Sequence, residues 1–264
     1  MYEKIKIIGR YADHLLNARS KFDLHSPFVY KIYSQILKDK TIYPEYQVLD
    51  SLWIKLLSDQ SFTTRTDFGA NAPVVHSKKN LLPVKTIAKR FSVSSHYGRL
   101  LFRLSKYFRP HMTLELGTSL GISTAYMSLG NPEGRVITIE GCDEIAKGAG
   151  KNFEWLGLTN IDQRIGNFDH VLPGVLNETS TLDLIFIDGN HKKEATLDYF
   201  QQCLQHTGNN SVLVFDDIHW SEGMKEAWNE IKLHSRVKVT IDLFRMGLVF
   251  FRDELSKEDF ILRF

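Results

Sequence analysis

Leu114-Glu115-Leu116-Gly117-Thr118-Ser119-Leu120-Gly121-Ile122-Ser123-Thr124 is the stretch on which the fold turns. An apolar run, Met112–Leu116, enters a glycine turn and leaves it as a helix-forming segment. Glycines at 117 and 121 let the backbone approach a ligand closely. Their spacing is G-x-x-x-G, not the G-x-G-x-x-G of dinucleotide-binding turns. Glu115 stands two residues before the first glycine, where its charge opposes a pyrophosphate at the helix N-terminus. A ligand with a cationic amino-acid part suits that carboxylate better. Taken alone, the motif is also compatible with an ordinary strand-to-helix turn.

Working outward, short apolar runs recur at Arg135–Glu140, Asp162–Ile165, Asp183–Asp188, Ser211–Asp216, Val237–Phe244 and Gly247–Arg252. Helical stretches separate the first five strands, counted from Met112–Leu116. That alternation implies right-handed crossovers and a parallel sheet. The last two runs meet near Arg245-Met246-Gly247, a spacing that permits only an antiparallel hairpin. The expected fold class is α/β: a doubly wound, mostly parallel seven-stranded sheet, Rossmann-like, with an N-terminal helical extension. Residues 1–95 are expected to form the helical cap and 96–264 the sheet domain.

Upstream, Ser26-Pro27 reads as a helix start, cap followed by proline. Pro44 opens a second helix with Val48, Leu49, Leu52, Trp53 and Leu56 on one stripe. Residues 61–82 read as a loop. Within it, Asp67-Phe-Gly-Ala-Asn-Ala is not taken as a phosphate loop, because no strand pattern precedes it. Leu100, Leu101, Leu104 and Phe108 line a basic helix that Pro110 stops. Phe22, Phe28, Tyr30 and Tyr33 are expected in the core rather than lining a pocket.

Composition excludes several classes. The 264 residues are 43% hydrophobic and 24% charged, as in ordinary globular chains and unlike disordered ones. Only two cysteines occur, so neither a disulfide framework nor cysteine metal spacing is present. No apolar run reaches membrane-spanning length. The charged N-terminus does not read as a secretory signal, and a cytoplasmic location is expected. The net charge of +2 hides an asymmetry: residues 1–110 hold 19 basic and 8 acidic side chains. The basic stretch 78–109 either docks on acidic surface or attracts an anionic partner such as RNA; docking is the favoured reading.

In open α/β sheets, ligands bind beyond the carboxyl ends of the strands. Glu140 ends one strand, 23 residues after Gly117, where an acid accepts hydrogen bonds from ribose hydroxyls. Asp188 ends an apolar strand, with His191 and Lys192 following. Asp216 and Asp217 end another, with His219 beside Trp220. Three such carboxylates together need neutralising. A hard divalent cation such as Mg²⁺ does this, as does protonation or pairing with Lys or Arg. His219 is expected to pack beside Trp220.

From about residue 95 to 252 the chain resembles the class I S-adenosylmethionine-dependent methyltransferases, nearest the catechol O-methyltransferase-like group. The resemblance rests on the glycine motif, the Arg135–Glu140 strand and the two Asp-ended strands. It implies that Glu115, Gly117, Ser119, Gly121 and Ser123 hold the methionine part of the cofactor and Glu140 its ribose. Phe168 and Asp169 would meet the adenine. Asp188, Asp216 and Asp217 match the metal-ligand positions, and Asp188 also borders the cofactor. The chain departs from the family at Asp217, where metal-dependent members carry Asn, and at His191, where catechol enzymes carry Lys. His191 or Lys192 is the expected base.

The implied activity is S-adenosyl-L-methionine-dependent O-methylation of a small hydroxylated acceptor, assisted by a divalent cation such as Mg²⁺. Two alternatives remain at this level: an RNA (tRNA base) methyltransferase using segment 78–109, and a non-catalytic nucleoside-cofactor binder; a homodimer is the candidate assembly for any of them. An NAD-dependent dehydrogenase is disfavoured by the glycine spacing and by Glu115.

Overall fold

The computed structural model describes residues 2–67 and 78–264. In chain order the elements are α1 (Tyr2–Asn17), α2 (Pro27–Ile32), α3 (Glu45–Ser58), β1 (Phe62–Asp67), β2 (Lys78–Pro83), α4 (Val84–Phe91) and α5 (Ser95–Phe108). There follow β3 (Met112–Leu116), α6 (Ile122–Gly130), β4 (Arg135–Glu140), α7 (Asp143–Leu156), β5 (Ile161–Ile165) and α8 (Phe168–Asn177). The chain ends with β6 (Leu182–Ile187), α9 (Lys193–Leu204), β7 (Thr207–Phe215), α10 (Glu222–Leu233), β8 (Val239–Asp242), β9 (Gly247–Phe250) and β10 (Glu258–Ile261). The fold is α/β with a doubly wound, mostly parallel sheet.

Two compact units share these elements: residues 40–180, and residues 1–39 together with 181–264. In the first, β3, β4 and β5 pair in parallel, with Met112 opposite Arg135 and Val136 opposite Ile161. Leu114, Leu116, Ile137 and Ile139 are buried, as in parallel strands covered on both faces. α5 packs on α6, and β1 and β2 form an antiparallel pair, Phe62 opposite Pro83. In the second unit, β6 and β7 are parallel, β9 pairs antiparallel with both β7 and β8, and β10 runs parallel to β8. The Ser26 hydroxyl caps α2 by accepting from the Val29 N–H, with Pro27 in the first turn.

The structure changes some of the expectations. The seven anticipated strands are all present, and β10 is an eighth. Its charged surroundings, Glu254 to Asp259, hide a strand whose buried position is Phe260. Part of the anticipated 61–82 loop is the β1–β2 pair. Its threonine-rich sequence lacks apolar alternation, and a bond from the Thr66 N–H to the Cys142 Sγ at 3.3 Å anchors β1. Asp67 is the last residue of β1, so a strand does lead into that stretch, while Phe68–Ala72 lie outside the described residues. Val48 is exposed, so the face of α3 turned inward is Tyr46, Leu49, Leu52 and Leu56. Phe22 and Tyr30 are exposed rather than core.

Backbone strain gathers where the strands stop. Ser119, Asn190, His191, Asp217 and Phe244 all have positive φ, between 43° and 70°. Non-glycine residues adopt this region at a cost and concentrate in it at working sites. All five follow within a few residues of the carboxyl ends of β3, β6, β7 and β8.

Candidate active site

In the 40–180 unit, Glu115 is the deepest charged group. It is fully buried, and its Oε2 accepts from the hydroxyls of Thr124 and, at 2.6 Å, Thr138. Its other oxygen, Oε1, is buried without a hydrogen-bond partner. Burial raises its pKa to about 7, against the pull of the neighbouring Ser123, Thr124 and Thr138 hydroxyls; the nearby Glu140 adds to the rise. A buried carboxylate oxygen with no donor is costly, and a cationic ligand would relieve it.

The glycine turn lies between β3 and α6. Gly117 has φ +107° and Gly121 has φ +82°. A Cβ on Gly121 would sit 2.4 Å from the Phe153 ring, so backbone and packing both require glycine there. Ser119, the strained residue of the turn, donates its N–H to Glu140 Oε2 at 2.9 Å, and Cys142 N–H reaches Glu140 Oε1 at 2.9 Å. The β4 carboxylate is thereby aimed and locked. Burial raises its pKa, while the Cys142 and Ser119 N–H groups oppose the rise. Ser123 is buried in the first turn of α6. After β5, Asn167 caps α8 by accepting from the Asp169 N–H at 3.1 Å, which sets Phe168 and Asp169 at the helix start.

In the other unit, Asp188 follows β6 and Asp216–Asp217 follow β7. His191 Nε2 lies 3.5 Å from Asp188 Oδ1. Asn190 Nδ2 donates to the Tyr199 hydroxyl at 3.1 Å, tying down this loop, and Lys192 stands at the N-cap position of α9 without a side-chain capping bond. Arg245, on the β8–β9 turn, forks onto Asp216: Nε is 2.9 and 3.2 Å from its two oxygens and Nη2 is 2.7 Å from Oδ2. The same Nε is 3.7 Å from Asp217 Oδ1. Burial raises the Asp217 pKa to about 6, helped by the Asp216 charge and opposed by His191 and Arg245.

Of the ways to neutralise these acids, pairing with arginine is the one the side chains supply at Asp216. Both oxygens of Asp216 are taken by the guanidinium, and its side chain has no exposed surface. As built, the donor set does not fit a divalent ion at Asp188, Asp216 and Asp217. Among the described residues, the cluster with metal-ligand spacing is instead His14, His219 and Asp242. The His219 ring stacks on Phe244, while Trp220 is half exposed. His219 Nε2 lies 2.7 Å from Asp242 Oδ2.

Sequence reasoning missed Arg245, His14 and Asp242. Arg245 appeared only as part of a turn. A cation at a hairpin tip, in a sheet with acid-ended strands, was the available signal.

Residues 114–218 match a family described as a methyltransferase domain. By that match the stretch is similar to a methyltransferase domain. The chain is 35% identical over 130 residues to a catechol O-methyltransferase of Niastella koreensis, covering 48% of this chain and 58% of that one. It is 30% identical over 131 residues to a catechol O-methyltransferase of Mycobacterium tuberculosis, covering 49% and 58%. The match thus spans less than two thirds of either relative's length. By shape, the chain resembles a Podospora anserina methyltransferase solved with SAH bound, with TM-score 0.62 and 14% identity over 89% of this chain and all of that one. A Bacillus cereus O-methyltransferase in complex with SAH gives TM-score 0.55 and 21% identity over 84% and 97%. At such identities the likeness is one of fold. No helix among the described residues is long and apolar enough to cross a membrane.

Proposed function

We propose that this protein is an S-adenosylmethionine-dependent O-methyltransferase acting on a small hydroxylated acceptor. The observation that carries the reading is Glu115 Oε1, buried and without a donor beside the glycine turn. The methionine part of S-adenosylmethionine supplies the ammonium that such an oxygen lacks. Its sulfonium supplies an already activated methyl group, so the protein has only to position and deprotonate. The names of the catechol O-methyltransferase relatives support the same reading.

In this reading Glu115, Gly117, Ser119, Gly121 and Ser123 seat the amino-acid end. Glu140, held by two backbone N–H groups, presents its remaining lone pairs to the ribose hydroxyls. Phe168 and Asp169 face the adenine, and Asp188 borders the cofactor. His191 takes the proton from the acceptor hydroxyl, because an imidazole needs little tuning to act as a base near neutral pH. Asp188, 3.5 Å from His191 Nε2, stabilises the imidazolium that forms. Lys192 is the alternative base. No step runs through a metal, because Arg245 already compensates Asp216.

Calorimetric titration with S-adenosylmethionine is the test. We expect micromolar affinity, about −8 kcal/mol, lost in Glu140→Ala. Absence of binding to folded, cofactor-free protein overturns the reading. Methyl transfer to tRNA but to no small phenol or alcohol would overturn the small-acceptor assignment and leave the cofactor in place.

A further inference from the structure

We propose that His14, His219 and Asp242 form a second site, for a divalent transition-metal ion of the Zn²⁺ type, which clasps the N-terminal helix to the end of β8. The three residues come from distant parts of the sequence: α1, the loop after β7, and the last position of β8. One ligand atom from each lies within 4.8 Å of the others. His14 and Asp242 are buried and His219 is nearly so, its side chain 15% exposed.

The orientation of His14 is the telling feature. Its Nε2 lies 3.3 Å from the Leu262 carbonyl oxygen, which can only accept. Nε2 therefore carries the hydrogen, and in the neutral ring Nδ1 holds a lone pair. That Nδ1 lies 3.2 Å from Asp242 Oδ1 and is buried without a hydrogen-bond partner. A lone pair facing a carboxylate in a buried pocket is repulsive unless a cation joins them, either a metal ion or a proton on Nδ1. Imidazole ligands commonly donate their other N–H to a backbone carbonyl, which fixes the tautomer and aims the free nitrogen at the metal. His14 has this arrangement.

Asp242 supplies the negative charge. Its Oδ1 also accepts from the Phe244 N–H at 2.8 Å, which holds the carboxylate facing the two imidazoles. The neighbouring Arg10 is directed elsewhere, to the His219 carbonyl at 3.1 Å and to Glu222 at 2.9 Å. Aromatic rings close the pocket: Phe244 stacks on His219 and meets His14 edge-on, and Tyr11 meets Phe244 edge-on. A low-polarity wall strengthens binding of a cation by an anionic ligand.

Two imidazoles and a carboxylate suit Zn²⁺ better than Mg²⁺, which prefers oxygen ligands. Tetrahedral bonds of 2.0–2.1 Å place ligand atoms about 3.3 Å apart, and the His14–Asp242 distance of 3.2 Å matches. The 2.7 Å His219–Asp242 distance is that of a hydrogen bond and opens as the ion displaces the shared proton. Water fills the fourth position.

The test uses the full-length chain, stripped with a chelator and desalted. Zn²⁺ is titrated against a chromophoric competitor, and Co²⁺ is read by its visible absorption. We expect one equivalent per chain. His14→Ala and Asp242→Asn should each weaken binding by more than about 100-fold, beyond what loss of an outer partner costs, with unchanged circular dichroism. If either fails to fold, His219→Gln serves in its place. Asp188→Asn and Asp216→Asn should leave the affinity unchanged. Folded wild type that binds no Zn²⁺ overturns the proposal. Binding that survives His14→Ala but not Asp188→Asn also overturns it, since the ion would then sit at the strand-end acids. Neither result bears on S-adenosylmethionine binding, which is measured separately.

Discussion

The guanidinium of Arg245 lies across both carboxylate oxygens of Asp216, with contacts of 2.7, 2.9 and 3.2 Å. Asp216 is fully buried, while Arg245 keeps about a third of its side chain in contact with solvent. Breaking a buried pair from one side leaves a charge without compensation, at about 3–5 kcal/mol. Partial solvation of Arg245 brings the expected loss for Arg245→Met to the lower end, about 2–3 kcal/mol. Adding Asp216→Asn should recover most of it. Urea unfolding of the two single variants and the double variant measures this coupling. Additive losses would show that the pair contributes nothing.

The same pair governs the response to magnesium. With Asp216 engaged by Arg245, calorimetry of the wild type with Mg²⁺ should show no stoichiometric binding tighter than about 1 mM. A saturable one-to-one isotherm that vanishes in Asp188→Asn would mean that the guanidinium gives way to an ion.

Glu115 makes stability depend on pH in a stated direction. Its pKa is about 7 in the folded chain and 4.5 in the ordinary carboxylate reference. Between those values the folded state holds the proton more tightly than the unfolded state does. Stability therefore falls as pH rises from about 4.5 to 7 and levels off above, by up to roughly 3 kcal/mol. Glu115→Gln should flatten this slope and be the more stable protein at pH 8. It should also bind S-adenosylmethionine more weakly. Chemical unfolding at pH 5 and pH 8 decides the first point, and an unchanged slope in the variant would assign it to another group.

Gly121→Ala should be costly from two sources. Its φ of +82° disfavours any side chain, by about 1–2 kcal/mol. The new Cβ would also meet the Phe153 ring at 2.4 Å, an overpacking worth about 1–3 kcal/mol. Thermal unfolding should fall accordingly, and cofactor affinity with it. A variant as stable as the wild type would mean that Phe153 and the turn rearrange freely.

His191 and Lys192 are separated by kinetics. As the base, His191→Ala should lower kcat by 10²–10⁴-fold with unchanged cofactor affinity, and Lys192→Ala should change it little. The reverse pattern would assign the proton to Lys192.

Much of this molecule was legible in the sequence because its signals are local. The glycine turn, the acid at the end of β4 and the apolar strands ending in Asp188 and Asp216 lie within single elements, where backbone geometry links spacing to position. The two shortfalls in strand reading have local causes as well. β1 and β2 lack apolar alternation, and β10 is four residues long amid charges.

What only the tertiary structure decided is which group meets each charge. Burial of Asp216 demands a counter-charge, but sequence spacing does not say whether an ion or a side chain 29 positions away supplies it. His14 meets Asp242 and Leu262 from the opposite end of the chain. Such pairings form because folding removes water from these groups and leaves each to find a partner among whatever the topology brings near. Periodicity along the chain carries no record of that choice.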